Sequence, residues 1–222
     1  MMRNFLIIFS VIVGILFAVN GSILSSNRVK LESAHTLTLD DVMFEKSTGR
    51  LKGYTACYKN IIVPSEFGGI PVTSIWHHAF EAHALTNVTI PNSVTFIGEA
   101  AFASNALTNI TIPNSVTHIE GSAFYGNALT SVIIPDSITS IEGGVFLENA
   151  LTNVIIPDSV TSISNYAFGE NHLNRVTIPD SVISIGWRSF YKNPIRSVTI
   201  TNPETYIGEE AFNPDVKITR LD

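Results

Sequence analysis

The sequence predicts a mainly β, right-handed solenoid of stacked coils, with parallel β ladders and a β cap at its N-terminal end. Three observations predict it. A 22-residue segment recurs: LTNVTIPNSVTFIGEAAFASNA at Leu85, LTNITIPNSVTHIEGSAFYGNA at Leu107, LTSVIIPDSITSIEGGVFLENA at Leu129 and LTNVIIPDSVTSISNYAFGENH at Leu151, with looser copies at Leu173 and Ile195. A fixed period of this length marks a repeat array. Apolar and polar residues alternate within each copy at strand spacing, and a phenylalanine recurs once per copy from Phe80 to Phe212.

The copy at Leu107 shows why one repeat makes one coil. Ile110 and Ile112 alternate with polar Thr111, the pattern of a half-buried strand. Pro113 ends that strand because it has no N–H to offer a neighbouring coil. Asn114 and Ser115 favour a turn by bonding nearby backbone. Val116 and Ile119 then point inward around Thr117 and His118, and Ala123 and Phe124 close the coil. One coil buries too little to hold itself together, so stacking of the phenylalanines and hydrogen bonds between coils must supply the rest.

The pattern LxxVxIPxSVTxIxxxAFxxN resembles the BspA-like class of leucine-rich repeats, the short-repeat type of bacterial surface proteins and some protists. The resemblance covers about residues 54 to 222. Many members carry Cys near the end of the repeat, where this chain has Asn105, Asn127, Asn149, Asn171 and Asn193. That departure removes any thiol ladder and leaves the fold expectation intact. The resemblance implies a leucine-rich repeat solenoid displayed at a cell surface, with a role in adhesion.

The remaining segments follow in chain order. Residues 1–21 read as a signal peptide or an N-terminal anchor: Arg3 precedes the 15-residue uncharged apolar run Phe5 to Val19. That run is shorter than the about 20 residues of a spanning helix. Residues 22–35 are polar and read as a linker, and residues 36–60 as the N-terminal cap, with Lys46 to Gly49 at a hairpin tip. Residues 61–222 form the solenoid. Its first coil carries a five-residue insertion within SEFGGIPV, where Gly68 and Gly69 allow a tight excursion.

Composition excludes several classes. The chain is 45% hydrophobic and 14% charged, with a formal net charge of −6, whereas a nucleic-acid binder needs a basic face. An anionic membrane surface is disfavoured on the same ground, so a membrane enters only through the possible N-terminal anchor. None of G-x-S-x-G, H-E-x-x-H or G-x-x-x-x-G-K-[ST] occurs, and the sequence predicts neither an enzyme nor a cofactor. His77, His78 and His83 in WHHAFEAH match no zinc spacing, and His35, His118 and His172 read as solvated. The lone Cys57 reads as a small buried hydrophobe of the cap, with intermolecular pairing as the alternative. Asp136, Asp158 and Asp180 share a position with Asn92 and Asn114, so a turn-capping role is expected in preference to calcium binding. Each carboxylate would then stack about 5 Å from the next.

The expected function is an exported or cell-surface module that recognises a protein or glycan partner. A structural surface or envelope spacer is the alternative, and ice binding through threonine ladders is a remote third because leucine-rich arrays curve. A spacer should stay regular, whereas a recognition face should vary. The outward row Thr89, Thr111, Ile133, Ile155, Thr177, Thr199 is broken at its centre by two isoleucines. Arg175 lies in the neighbouring row, and Arg196 in the row beside that. Ile133, Ile155, Arg175 and Arg196 are therefore the expected binding residues of the concave strand face.

Overall fold

Alternation along each strand sends Val88, Ile110, Val132, Val154, Val176 and Val198 inward, and all six are buried. The residues between them face outward, and the backbone groups pair with the coils above and below. The structure, a computed structural model that describes residues 33–220, is built from short strands that run parallel from coil to coil. The expected leader at residues 1–21 and most of the linker lie outside the described residues. Among the described residues no helix is long and apolar enough to cross a membrane.

Two ladders run along the coil stack. The first pairs His35–Thr36, Asn60–Ile62 and Asn87–Thr89, then Ser131–Ile133 with Asn153–Ile155, then Ser197–Ile200 with Lys217–Arg220. The second pairs Arg50–Tyr54, Ser74–Ile75, Phe96–Ile97 and His118–Ile119. It resumes with Ser140–Ile141, Ser162–Ile163, Ser184–Ile185 and Tyr206–Ile207. In the copies from Leu85 to Leu173 a proline stands just beyond the first-ladder segment, and its carbonyl accepts the next turn's N–H, as in Val116 to Pro113 at 3.0 Å.

The N-terminal end is closed by an antiparallel hairpin, Val42–Glu45 with Arg50–Tyr54, whose tip is the expected Lys46 to Gly49 turn. The first coil is 27 residues long rather than 22. The extra residues form a small antiparallel excursion, Glu66–Phe67 against Ile70–Pro71, turned by Gly68 and Gly69 at φ 60° and 80°. Two expectations for the cap are corrected. Cys57 is exposed, because it lies in the loop between Tyr54 and Asn60 where the chain crosses from one ladder to the other. His35 is not a solvated residue: it pairs opposite Ile61, stacks on Tyr58 at 3.6 Å and sits 3.0 Å from the Asp41 carboxylate.

A single file of rings runs through the core. Phe80, Phe102, Phe124, Phe146, Phe168, Phe190 and Phe212 stack nearly parallel, with centroids 5.1 to 5.7 Å apart. Beside them runs a file of amides. Asn149 accepts from the Leu129 N–H at 3.0 Å and donates to the carbonyls of Phe124, Phe146 and Leu147. Asn105, Asn127, Asn171 and Asn193 repeat the arrangement with their own neighbours. His83 occupies the same position one coil earlier, where its ring packs edge-on against Tyr54.

The corner of each coil, around the phenylalanine, adds its own inter-coil bonds, such as Phe124 N–H to the Val145 carbonyl at 3.0 Å. It is turned by left-handed residues that are seldom glycine: Ser122, Glu148, Tyr166 and Arg188 lie at φ 57°, 54°, 58° and 53°. An isolated L-residue there is disfavoured by about 1–2 kcal/mol, which the bonds to the next coil must offset.

The turn after each proline differs from expectation. The serines rather than the acidic or amide column hold it: Ser115, Ser137, Ser159 and Ser181 donate to the carbonyls of Val94, Val116, Ile138 and Val160 on the preceding coil. Asp136 and Asp158 make no hydrogen bond among the described residues, and only Asp180 accepts one, from Thr201. The serine hydroxyl reaches the inward carbonyl because it lies one residue nearer the buried Val or Ile, whereas the aspartate points to solvent.

Five substitutions test this arrangement. Phe146→Ala should destabilise by about 3–5 kcal/mol as a large-to-small core change, and Thr152→Ala by under about 0.5 kcal/mol, measured by denaturant unfolding. Asn149→Ala should cost about 3 kcal/mol by orphaning a buried N–H and crowded carbonyls. Asn149→Asp should cost more at neutral pH, since it turns a carboxylate oxygen on three carbonyls, and should recover partly in acid. Hydrogen bonding to His35, and then to the Thr38 N–H, holds the Asp41 carboxyl below its usual range. A depressed carboxyl stabilises the fold above its unfolded pKa, and that contribution is lost as pH falls through the folded value. Asp41→Asn should therefore flatten the acid limb of a stability–pH curve.

Candidate functional site

The first-ladder face is built from residues that the core does not use. In the rung Ser131–Ile133 against Asn153–Ile155, the buried partners are Val132 and Val154, so strand alternation turns Ile133 and Ile155 out. They stand directly opposite one another, 78% and 68% exposed. Threonine fills the equivalent positions at Thr89 and Thr111, so the fold does not require isoleucine there.

Arg175 is exposed on the next coil. Between the two coils lies an open depression of about 390 Å³, lined by Asn153, Ile155, Asp158, Arg175, Thr177 and Pro179 among others. A second depression of about 560 Å³ follows, with Asp158 and Asp180 on its wall together with Thr199 and Thr201. Both flank the segment Arg175 to Thr177, which pairs with neither neighbouring strand. The structure thus brings Ile133, Ile155 and Arg175 onto adjoining coils. Arg196 is exposed but lines neither depression; its carbonyl accepts the Lys217 N–H at 2.9 Å, on the coils beyond.

Two further features were not expected. Ile183, Tyr206 and Trp187 are 58%, 67% and 38% exposed on the second ladder and its adjoining corner. Trp187 meets Tyr166 edge-on at 4.8 Å, and the Arg188 guanidinium lies 4.6 Å from the Trp187 ring. Hydrogen bonds to Glu210 and Tyr166 hold that guanidinium charged. The signal was present in the sequence as departures from the repeat, Ile183 in the column of Thr161 and Tyr206 in that of Ser184.

The second feature is a cleft of about 480 Å³ where the second ladder is interrupted between His118–Ile119 and Ser140–Ile141. His77, Glu99, Glu120 and Glu142 border it. These groups are engaged with one another: Glu120 accepts from the Glu99 N–H and lies 3.4 Å from His77, and Glu142 accepts from Ser140. His78 turns away to Glu81 at 2.8 Å. The three histidines of WHHAFEAH therefore do not converge, and among the described residues no group of three His, Cys, Asp or Glu side chains could hold a metal ion.

The geometry agrees with comparisons to known proteins. A family model described as BspA type Leucine rich repeat region matches residues 73–150 and 139–222, in 6 copies. The fold is similar to the crystal structure of the T. pallidum leucine rich repeat protein, at TM-score 0.56 and 20% identity, over 83% of this chain and 86% of that one. It is also similar to a leucine rich cell surface protein of Faecalibacterium prausnitzii, at TM-score 0.51 and 20% identity, over 82% and 74%. Comparison with curated proteins gave no significant match. With six matched copies spanning most of the described residues, the chain belongs to the BspA-type leucine-rich repeat family.

Proposed function

We propose that the array is a surface-displayed binding module that recognises a protein partner, in adhesion, through the first-ladder face centred on Ile133 and Ile155. The observation that carries this reading is the exposed isoleucine rung. Two large apolar side chains stand side by side in water, 78% and 68% exposed, at positions where threonine serves the fold equally well. Their burial would be gained only on binding, at about 25 cal/mol per Å² of apolar surface removed from water. Arg175, on the adjoining coil, supplies the kind of cation that is enriched at interface anchors. Leucine-rich repeat arrays are generally interaction scaffolds rather than enzymes. The repeated serines Ser115, Ser137, Ser159 and Ser181 are occupied in holding one coil to the next. Export through residues 1–21 belongs to the same proposal and rests on their sequence pattern alone.

The test uses the purified chain against panels of matrix proteins, envelope proteins and glycans, with the double variant Ile133→Thr and Ile155→Thr alongside. A protein ligand of the wild type should bind the variant at least about ten-fold more weakly, a loss of about 1.4 kcal/mol. The denaturation midpoint should be unchanged. Arg175→Glu should weaken the same ligand. Undiminished binding by both variants would move the site to another face, absence of any ligand would restore the spacer, and capture of glycan alone would change the partner class.

A further inference from the structure

The charges of the chain are unevenly distributed along it. Lys59 and Arg175 are consecutive basic residues: no lysine or arginine occurs between them. The same span carries Glu66, Glu81, Glu99, Glu120, Asp136, Glu142, Glu148, Asp158 and Glu170. Both ends of the array hold cations, with Lys46, Arg50 and Lys52 in the cap and Arg188, Lys192 and Arg196 in the last coils. On the rung's own coils, and on the coils before them back to Lys59, every lysine, arginine, aspartate or glutamate is therefore an acid, and Arg175 opens the basic end on the next coil.

Five of those carboxylates belong to the rung's own coils, and two of them follow its strands directly. Asp136 follows Ile133, and Asp158 follows Ile155, three residues later in each case, within about 10 Å along the chain. Both are exposed, and neither has a hydrogen bond or ion pair among the described residues. Asp158 lines the depression that Ile155 and Arg175 also line. The fold does not need an acid here, since Asn92 and Asn114 fill the same column. In-register stacking moreover sets the backbones of the two aspartates about 5 Å apart, and like charges so stacked are unfavourable until something cationic neutralises them.

We infer that the partner of the first-ladder face is a cationic protein segment, which sets an apolar side chain on Ile133 and Ile155 and lysine or arginine on Asp136 and Asp158. This rests on the proposed binding role of that face and adds the chemistry of what it binds. Charge complementarity of this kind acts mainly on association rate and partner choice, and it weakens with salt. Arg175 marks where the basic part of the segment must end.

The experiment measures binding of two labelled peptides to the full chain, one alternating lysine and leucine and one alternating glutamate and leucine. The lysine peptide should bind and the glutamate peptide should not, with affinity falling about ten-fold or more between low and high salt. Asp136→Asn with Asp158→Asn should reproduce most of that loss at low salt, with the fold unchanged because asparagine already occupies this column. Glu99→Gln with Glu142→Gln changes the net charge equally on the other ladder and should leave binding intact. Equal loss in both pairs, or equal binding of both peptides, would overturn the inference. If Ile133→Thr with Ile155→Thr abolishes capture of a protein ligand while the aspartate pair has no effect on it, the rung remains the site and the cationic chemistry is wrong.

Discussion

Everything in the array depends on a buried amide that touches two coils at once. Asn149 joins the Leu129 N–H to the carbonyls of Phe124 on the preceding coil and Phe146 on its own, and it does so almost wholly out of water. In a buried setting an unmade hydrogen bond is more damaging than a made one is helpful. The amide is the side chain that can accept on one side and donate twice on the other. Repeating it once per coil fixes the spacing, and the spacing fixes the phenylalanine stack and both ladders.

That arrangement divides the labour among positions. The phenylalanine, asparagine and serine columns, and the inward residues of both strands, are consumed by the fold. The outward rows are free, and departures from the repeat accumulate there. Ile133 and Ile155 on one ladder, and Ile183, Trp187 and Tyr206 on the other, are the visible cases. A scaffold whose inward columns vary little can alter its surface without altering its shape, which is how a repeat array comes to present distinct faces.

Much of this was legible in the sequence because it depends on period alone. The strand spacing, the proline stop and the phenylalanine file all follow from comparing each copy with the next. The positions of Ile133, Ile155 and Arg175 on adjoining coils were legible for the same reason. What period could not supply was anything set by a single contact. Cys57 and His35 lie outside the repeat, so nothing in a neighbouring copy indicated that one would be exposed and the other clasped by Tyr58 and Asp41. Serine and aspartate are adjacent in the turn and both suit it, so only the direction of the side chain decides which one bonds across. The ladder interruptions at Arg175 to Thr177 and after Ile119 leave no trace in the repeat pattern, and the depressions beside them were invisible until the coils were stacked.

In-register stacking also governs which charges a repeat can bear. Copying a coil copies its charges onto the coil above, about 5 Å away, where two like charges repel by about 1 kcal/mol even in water. Serial duplication of a charged repeat would therefore build a column of unfavourable pairs along the whole array. Uncharged Thr, Asn and Ser escape this accumulation, and they dominate the outward rows. Like charges stack nonetheless at Asp136, Asp158 and Asp180, whereas near the last repeats opposite charges pair, Glu170 with Lys192 and Arg188 with Glu210. The low charge content of the chain is thus what in-register repetition favours, and the opposite-sign pairs are places where stacking turns charge from a cost into an attraction.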